Sequence, residues 1–520
     1  MLPDDLLQPE AWPQPAPPSV KLVETHVSWV FVGGRQVIKV KKPVALGFVD
    51  FRSVERRRVA CEDEVRLNTR LAPGVYLGVL PIVRDTGGRL SIGGDGEIVD
   101  WAVHMRRLDD DTRADVLLGR GALTHDHINS VARAIADLHR QSAVSEATAA
   151  RWASVSAIER NVLENFGQTA KLSSAYMEDR AADEIEQAQV KFVADHESLI
   201  SARVRAGRIR DGHGDLRLEH IYFDSEGLRI IDCVEFDERY RVEDVCSDVA
   251  FLSMDLAGQN RVDLAEWLLA RYARLSGDYD LYALVDFYEG YRAWVRAKVS
   301  ALLAADAGVD EGTRMRAARE ARRHFLLALA CTRPPLVAPQ LVCVCGVIGS
   351  GKSSIADALS RELSWPVVDS DRTRKQLLGV EETRPLTDPL WSGAYSPDVT
   401  AQVYTETFRR ASVVLASKRP VIVDASFRSS ATRRSARELA HAHGVPFVLL
   451  ECQAPAEVCR ARLSRRPPGV SDGRPAMFEP FAASFEPIRE LAPAEHVVVD
   501  TTETLEHTLD MLRTRLRAAS

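Results

Sequence analysis

Eight consecutive residues, Gly346-Val347-Ile348-Gly349-Ser350-Gly351-Lys352-Ser353, restrict the fold of this chain more than any other feature. They fit the pattern G-x-x-x-x-G-K-[ST]. Before them Leu341-Val342-Cys343-Val344-Cys345 reads as a buried strand; after them Ile355, Leu359 and Leu363 recur at helical spacing. A strand, a glycine-rich turn and a helix in that order point backbone N–H groups at phosphate oxygens, beside the positive end of the helix. On this reading Gly346, Gly349, Ser350, Gly351, Lys352, Ser353 and Ser354 cradle the phosphates of ATP. Lys352 reaches the β- and γ-phosphates, and the Ser353 hydroxyl holds Mg²⁺.

At 520 residues the chain is too long for a single ordinary core. Arg333-Pro334-Pro335-Leu336-Val337-Ala338-Pro339-Gln340 carries three prolines in eight residues and reads as a linker at 333–340. Beyond it the short apolar runs Val367-Val368, Val421-Ile422-Val423, Phe447-Val448-Leu449-Leu450 and Val497-Val498-Val499 alternate with helical segments. That alternation predicts an α/β domain with a parallel sheet over 341–520. The segment 1–332 reads as α+β: a small β-rich lobe over about 20–110 with one helix near Val54–Leu71, then a larger helical lobe over about 111–332. A net charge of −7 argues against a general nucleic-acid binder. Eight cysteines without metal-ligand spacing, no signal peptide and no apolar run of membrane-spanning length fit a cytoplasmic protein.

A second phosphate-transfer pattern lies in the N-terminal half. His213-Gly214-Asp215-Leu216-Arg217-Leu218-Glu219-His220 precedes a strand, a turn at Asp224–Gly227 and a return strand ending at Asp232. Such a hairpin brings Asp215 and Asp232 to one edge, and phosphoryl transfer needs one carboxylate at the acceptor hydroxyl and another at the metal. The stretch resembles the H-G-D-x-x-x-x-N loop and Ile-Asp hairpin of aminoglycoside phosphotransferases, which share the protein-kinase fold. The resemblance implies that Lys39 contacts ATP phosphates, with Lys41 competing on the same strand face, and that Glu64 pairs with that lysine. It also implies a structural aspartate pair at Asp244 and Asp248. The family's Mg²⁺-binding asparagine is His220 here, and imidazole is a poor magnesium ligand. Either Glu219 or Glu235 compensates, or the metal differs, or this half is weakly active. The family's glycine-rich loop is absent, and Thr25-His26-Val27-Ser28-Trp29 stands in its place.

In the C-terminal half, Val367-Val368-Asp369-Ser370-Asp371 places two carboxylates at the carboxyl end of a strand, where ligands bind in open α/β folds, so either Asp369 or Asp371 would lie near the γ-phosphate. Asp371 and Arg374 resemble the D-x-x-R segment of polynucleotide kinases and related small-molecule kinases, which implies a base for the acceptor hydroxyl and a holder for an anionic acceptor. Asp424 closes the next strand and is placed to assist Mg²⁺ or the acceptor. Arg462, Arg465 and Arg466 resemble the arginines of the lid of phosphate-loop kinases. Together the halves resemble bacterial two-domain proteins that fuse an aminoglycoside-phosphotransferase-like domain to a P-loop kinase of the gluconate-kinase type. The resemblance implies an ATP- and Mg²⁺-dependent kinase of a small hydroxylated metabolite, with a P-loop site and a second kinase-like site. The alternative reading is an ATPase or regulator whose N-terminal half is a binding module.

Overall fold

Five apolar runs of the C-terminal half become five parallel strands in the computed structural model, which describes residues 2–25, 27–46, 49–335, 337–465 and 469–518. Their order across the sheet is Val367–Asp369, Val421–Asp424, Leu341–Cys345, Phe447–Gln453 and His496–Asp500. Leu341–Cys345 is central and buried along its whole length, as a strand covered by helices on both faces must be. The helix Lys352–Leu363 packs Ile355 and Leu359 against Val342, Val344, Ile422 and Leu450. Parallel register sets Asp424 opposite both Val344 and Asp369, so the carboxyl ends of three neighbouring strands finish level. Crevices outside such ends, where strand order reverses, are where open α/β sheets take ligands.

Residues 260–290, which the sequence assigns to the N-terminal domain, belong instead with 329–520 as one compact unit; the other comprises 1–259 and 291–328. The cause is specific anchoring. The Tyr279 hydroxyl donates to the Val367 carbonyl at 2.5 Å, and Arg419 forms ion pairs with Glu266 and Asp286 at 2.9 and 2.8 Å. Gly277 takes a left-handed φ of 69° at the end of the helix Val262–Ser276, where a Cβ would stand 2.8 Å from Gln376.

The other unit opens with a six-stranded antiparallel sheet in the order Val20–Glu24, Ser28–Gly33, Gln36–Lys41, Glu97–Arg106, Tyr76–Arg84, Leu90–Ile92. Its helix runs Val54–Asn68, capped by the Ser53 hydroxyl, and buries Ala60, Cys61, Glu64 and Leu67. Helices dominate from His125 onward, interrupted by the hairpin Ile221–Asp224 with Gly227–Ile230. The sequence reading of a β-rich and then a helical lobe describes this unit well, apart from a helix three residues shorter than expected. Among the described residues no helix is long and apolar enough to cross a membrane, and the eight cysteines are unpaired.

Candidate phosphotransfer sites

Phosphate-loop geometry follows from its glycines. Gly346 and Gly349 hold φ of 135° and 79°, and a Cβ at either would lie 2.5 Å from the Cys452 carbonyl or 2.7 Å from that of Cys459. No L side chain fits there, so the loop curls tightly against the neighbouring strand and helix. Gly351 precedes the first turn of Lys352–Leu363. The Lys352 ammonium folds back to donate to the Val347 carbonyl at 2.9 Å, and the buried Ser350 hydroxyl has no hydrogen-bond partner among the described residues. Arg462 stands beside the loop, donating to the Thr501 hydroxyl and carbonyl at 2.9 and 2.6 Å, while that hydroxyl donates to the Ser350 carbonyl at 2.7 Å. Arg466 lies outside the described residues.

One cavity of about 710 Å³ joins this loop to Asp371, Arg374 and Asp424. Asp424 is 5% exposed. Burial pushes its carboxyl up to about 6, against the pull of the Lys352 charge and a hydrogen bond with the Ser353 hydroxyl. A buried carboxylate beside the loop serine, facing a space for phosphates, is an oxygen donor set of the kind Mg²⁺ takes. Among the described residues there is no cluster of three or more His, Cys, Asp or Glu that could hold a metal by itself.

Asp371 and Arg374 sit on the helix Ser370–Leu377, which is held by Asp369, a carboxylate the sequence places near the γ-phosphate, and by two arginines the sequence reading did not single out. Asp369 caps it by accepting from the Arg372 N–H at 2.7 Å, while its other oxygen meets Arg274 at 3.2 Å and Arg372 at 3.3 Å. Arg274 also donates to Asp357 of the phosphate-loop helix at 2.5 Å, so a residue of the 260–290 segment ties both helices of the site together. Arg274, Arg372 and Asp369 are buried. Desolvation favours the neutral Asp369 carboxyl, but the two guanidinium groups more than offset it and hold it below the usual carboxylate range. Asp371, half-buried on the cavity wall, makes no hydrogen bond or ion pair with any described residue. Arg374 donates to the Ala394 carbonyl at 2.6 Å and lies 5.0 Å from the Tyr395 ring centroid.

The second site is assembled as its pattern requires and is then saturated by its own side chains. Lys39 bridges Glu64 and Asp232, at 2.8 Å each. Lys41 bridges the other Glu64 oxygen at 2.6 Å and Glu235, so the two lysines share one buried glutamate. Burial alone would lower the Lys39 pKa; Asp232, Glu64 and Glu235 raise it well above its ordinary value. Gly214 and His213 donate backbone N–H groups to Asp248 at 3.0 and 2.7 Å, and Asp244 pairs with Arg203. These contacts hold the loop that presents Asp215. Both oxygens of Asp215, however, accept from Arg217, at 2.8 and 3.0 Å. Although burial opposes ionisation, that clamp together with His220 keeps Asp215 well below the usual carboxylate range.

His220 bonds the Asp215 carbonyl through Nδ1 at 2.9 Å, and its Nε2 meets Arg217 at 3.2 Å and stands 3.9 Å from Asp232. Glu235 is engaged by Lys41, and Glu219 by Arg217. The two glutamates that could have replaced the missing metal ligand are therefore committed elsewhere. These residues do not fit a magnesium site as they stand, because cationic side chains already hold Asp215, Glu219, Glu235 and one oxygen of Asp232.

The phosphate loop, the buried Asp424 and the parallel sheet define the C-terminal unit as a P-loop α/β domain of the nucleotide-binding kind. Residues 341–488 match the AAA_33 family, an AAA domain. An uncharacterized protein of Mycobacterium tuberculosis strain H37Rv is 32% identical over 476 residues, covering 91% of this chain and 92% of that protein, and one of Mycobacterium bovis matches equally. The chain belongs to the family of these mycobacterial proteins, and its C-terminal unit carries the AAA_33 match. Among solved structures, a gluconokinase from Sinorhizobium meliloti is 25% identical, with 35% of this chain and 94% of that one covered and a TM-score of 0.26. A choline/ethanolamine kinase family protein from Mesorhizobium loti is 14% identical, covering 59% and 92%, with a TM-score of 0.32.

Proposed function

We propose that the chain is an ATP- and Mg²⁺-dependent phosphotransferase that phosphorylates a hydroxyl of a small cytoplasmic metabolite at the P-loop site. The observation that carries this reading is the unpartnered Asp371 on the wall of the cavity that also contains Lys352, Ser353 and Asp424. A carboxylate there can activate either water or an acceptor hydroxyl, and Arg374 on the same wall favours an acceptor that carries negative charge. Asp371 accepts the proton of the acceptor hydroxyl as its oxygen attacks the γ-phosphorus, and Arg374 positions the acceptor. Lys352 and the loop N–H groups hold the transferring phosphoryl group, and Arg462 supplies further positive charge beside the loop. Ser353 and Asp424 would hold Mg²⁺, whose contribution is to neutralise charge on the phosphates.

For the N-terminal half the Asp215–Arg217 clamp supports the other reading, a binding module without catalysis. A base held by two charge-assisted hydrogen bonds is a weak proton acceptor. Incubating the full chain with γ-labelled ATP and a library of small alcohols tests the proposal. Label transfer lost in Asp371→Asn supports it; label released only as phosphate in the native protein sinks it.

A further inference from the structure

Building on the P-loop reading, we propose that the acceptor is an anionic molecule bearing a planar conjugated ring, selected by Trp391 and Arg428. Part of the cavity wall is aromatic: Trp391, Tyr395 and Phe481 line the space that contains Asp371. Trp391 is a large ring left 40% exposed, on a backbone with φ of 68°. That left-handed conformation is costly for a bulky residue and is retained where it serves a ligand. Its ring is nearly parallel to that of Phe481, at 15° and 6.3 Å between centroids. The Arg428 guanidinium lies 4.2 Å from the Trp391 centroid, and Arg374 sits similarly over Tyr395 at 5.0 Å.

The charges divide into two groups. Arg274 and Arg372 are matched by Asp369, whereas neither Arg374 nor Arg428 pairs with a carboxylate among the described residues. Arg374 is 7% exposed, and its Nε has no hydrogen-bond partner among the described residues. Guanidinium groups backed by rings and without a carboxylate at ion-pair distance suit a carboxylate or phosphate on the ligand. Ring faces suit another flat π-system better than a polyol, whose hydroxyl groups need hydrogen-bonding partners that ring faces lack. In the transfer itself the acceptor oxygen bonds to the γ-phosphorus, the bond from that phosphorus to the ADP oxygen breaks, and the hydroxyl proton passes to Asp371.

The test uses the full chain saturated with Mg²⁺ and a non-hydrolysable ATP analogue, titrated calorimetrically. The planar probes are AMP, CMP and 4-hydroxymethylbenzoate; gluconate and glycerol 3-phosphate are the non-planar anions. At least one planar probe is expected to bind more tightly than either non-planar anion. Trp391→Ala should weaken it about tenfold, in line with the loss of one stacked ring, and Trp391→Phe should keep most of the affinity. Arg428→Ala should erase the preference for AMP over adenosine. Planar probes that fail to bind, or that bind Trp391→Ala unchanged, overturn the proposal, as does tighter binding of gluconate. An analogue that binds the native chain and Lys352→Ala equally removes the P-loop reading as well, so the two failures are distinguishable.

Discussion

Asp424 makes the P-loop site sensitive to pH in a direction that the structure sets. Its carboxyl ends the strand beside the phosphate loop, 5% exposed, and burial raises its pKa from 3.8 to about 6. Metal binding takes the ionised form, so the proton must leave first. At pH 7.5 nearly every Asp424 is ionised, and at pH 5 only about one in eleven is, so Mg²⁺ affinity should fall about tenfold between them. Stability moves the other way. A carboxyl raised by burial contributes roughly 3 kcal/mol of folding stability in the metal-free protein below the unfolded pKa, and this is lost as pH rises through about 6. The assay is calorimetric titration of Mg²⁺ and an ATP analogue into the full chain and into Asp424→Asn, at pH 5.0 and 7.5. The nucleotide's own phosphate titration is common to both proteins, so the ratio of their affinities isolates this carboxyl. That ratio should be about tenfold larger at pH 7.5. A ratio that does not change with pH would refute the assignment of Asp424 as a buried metal ligand.

Lys352→Ala should weaken ATP binding by about 100-fold or more, since a charge-assisted contact to phosphate is lost from a preorganised cradle; calorimetry on the full chain reads this directly. Arg274→Gln leaves Asp369 with Arg372 alone and should cost about 3 kcal/mol, the low end for breaking a buried ion pair. Thermal melting, together with faster amide exchange in Ser370–Leu377, checks this, and unchanged exchange there contradicts the tethering role. In a Lys352→Ala background the N-terminal site should show no ATP binding, and adding His220→Asn should not restore it, because Lys39, Lys41 and Arg217 still hold Asp232, Glu235 and Glu219. Nucleotide binding regained by that single change would show that the histidine, not these ion pairs, silences the site.

What the sequence made legible was chemistry encoded by local spacing. The phosphate loop needs its glycines and lysine at fixed offsets, and the strands around it announce themselves as short apolar runs. Lys39, Glu64 and Asp232 could be aligned by resemblance, and the structure brings them within ion-pair distance. Whether Lys39 or Lys41 meets the helix glutamate had no sequence answer, because the carboxylate has two oxygens and each lysine takes one. The Arg217 clamp lay two residues from Asp215, but an arginine at that spacing reads equally well as a solvated surface charge. The placement of 260–290 was illegible for a different reason. Arg274 and Asp369 are 95 positions apart, and nothing in either helix pattern marks a buried pair across that distance. Trp391, Arg428 and Phe481 likewise come from three separate loops or helices and become a wall only once the sheet has ordered its crossings.

On the proposed function, phosphoryl transfer occurs at the P-loop site and not in the N-terminal half. Label transfer from γ-labelled ATP to a metabolite library, compared across the native chain, Asp371→Asn and Asp215→Asn, separates the two sites. Asp371→Asn should lose roughly 10²–10⁴-fold in rate, as removal of a general base does, while Asp215→Asn should transfer label at close to the native rate. Transfer abolished by Asp215→Asn and preserved in Asp371→Asn would contradict it.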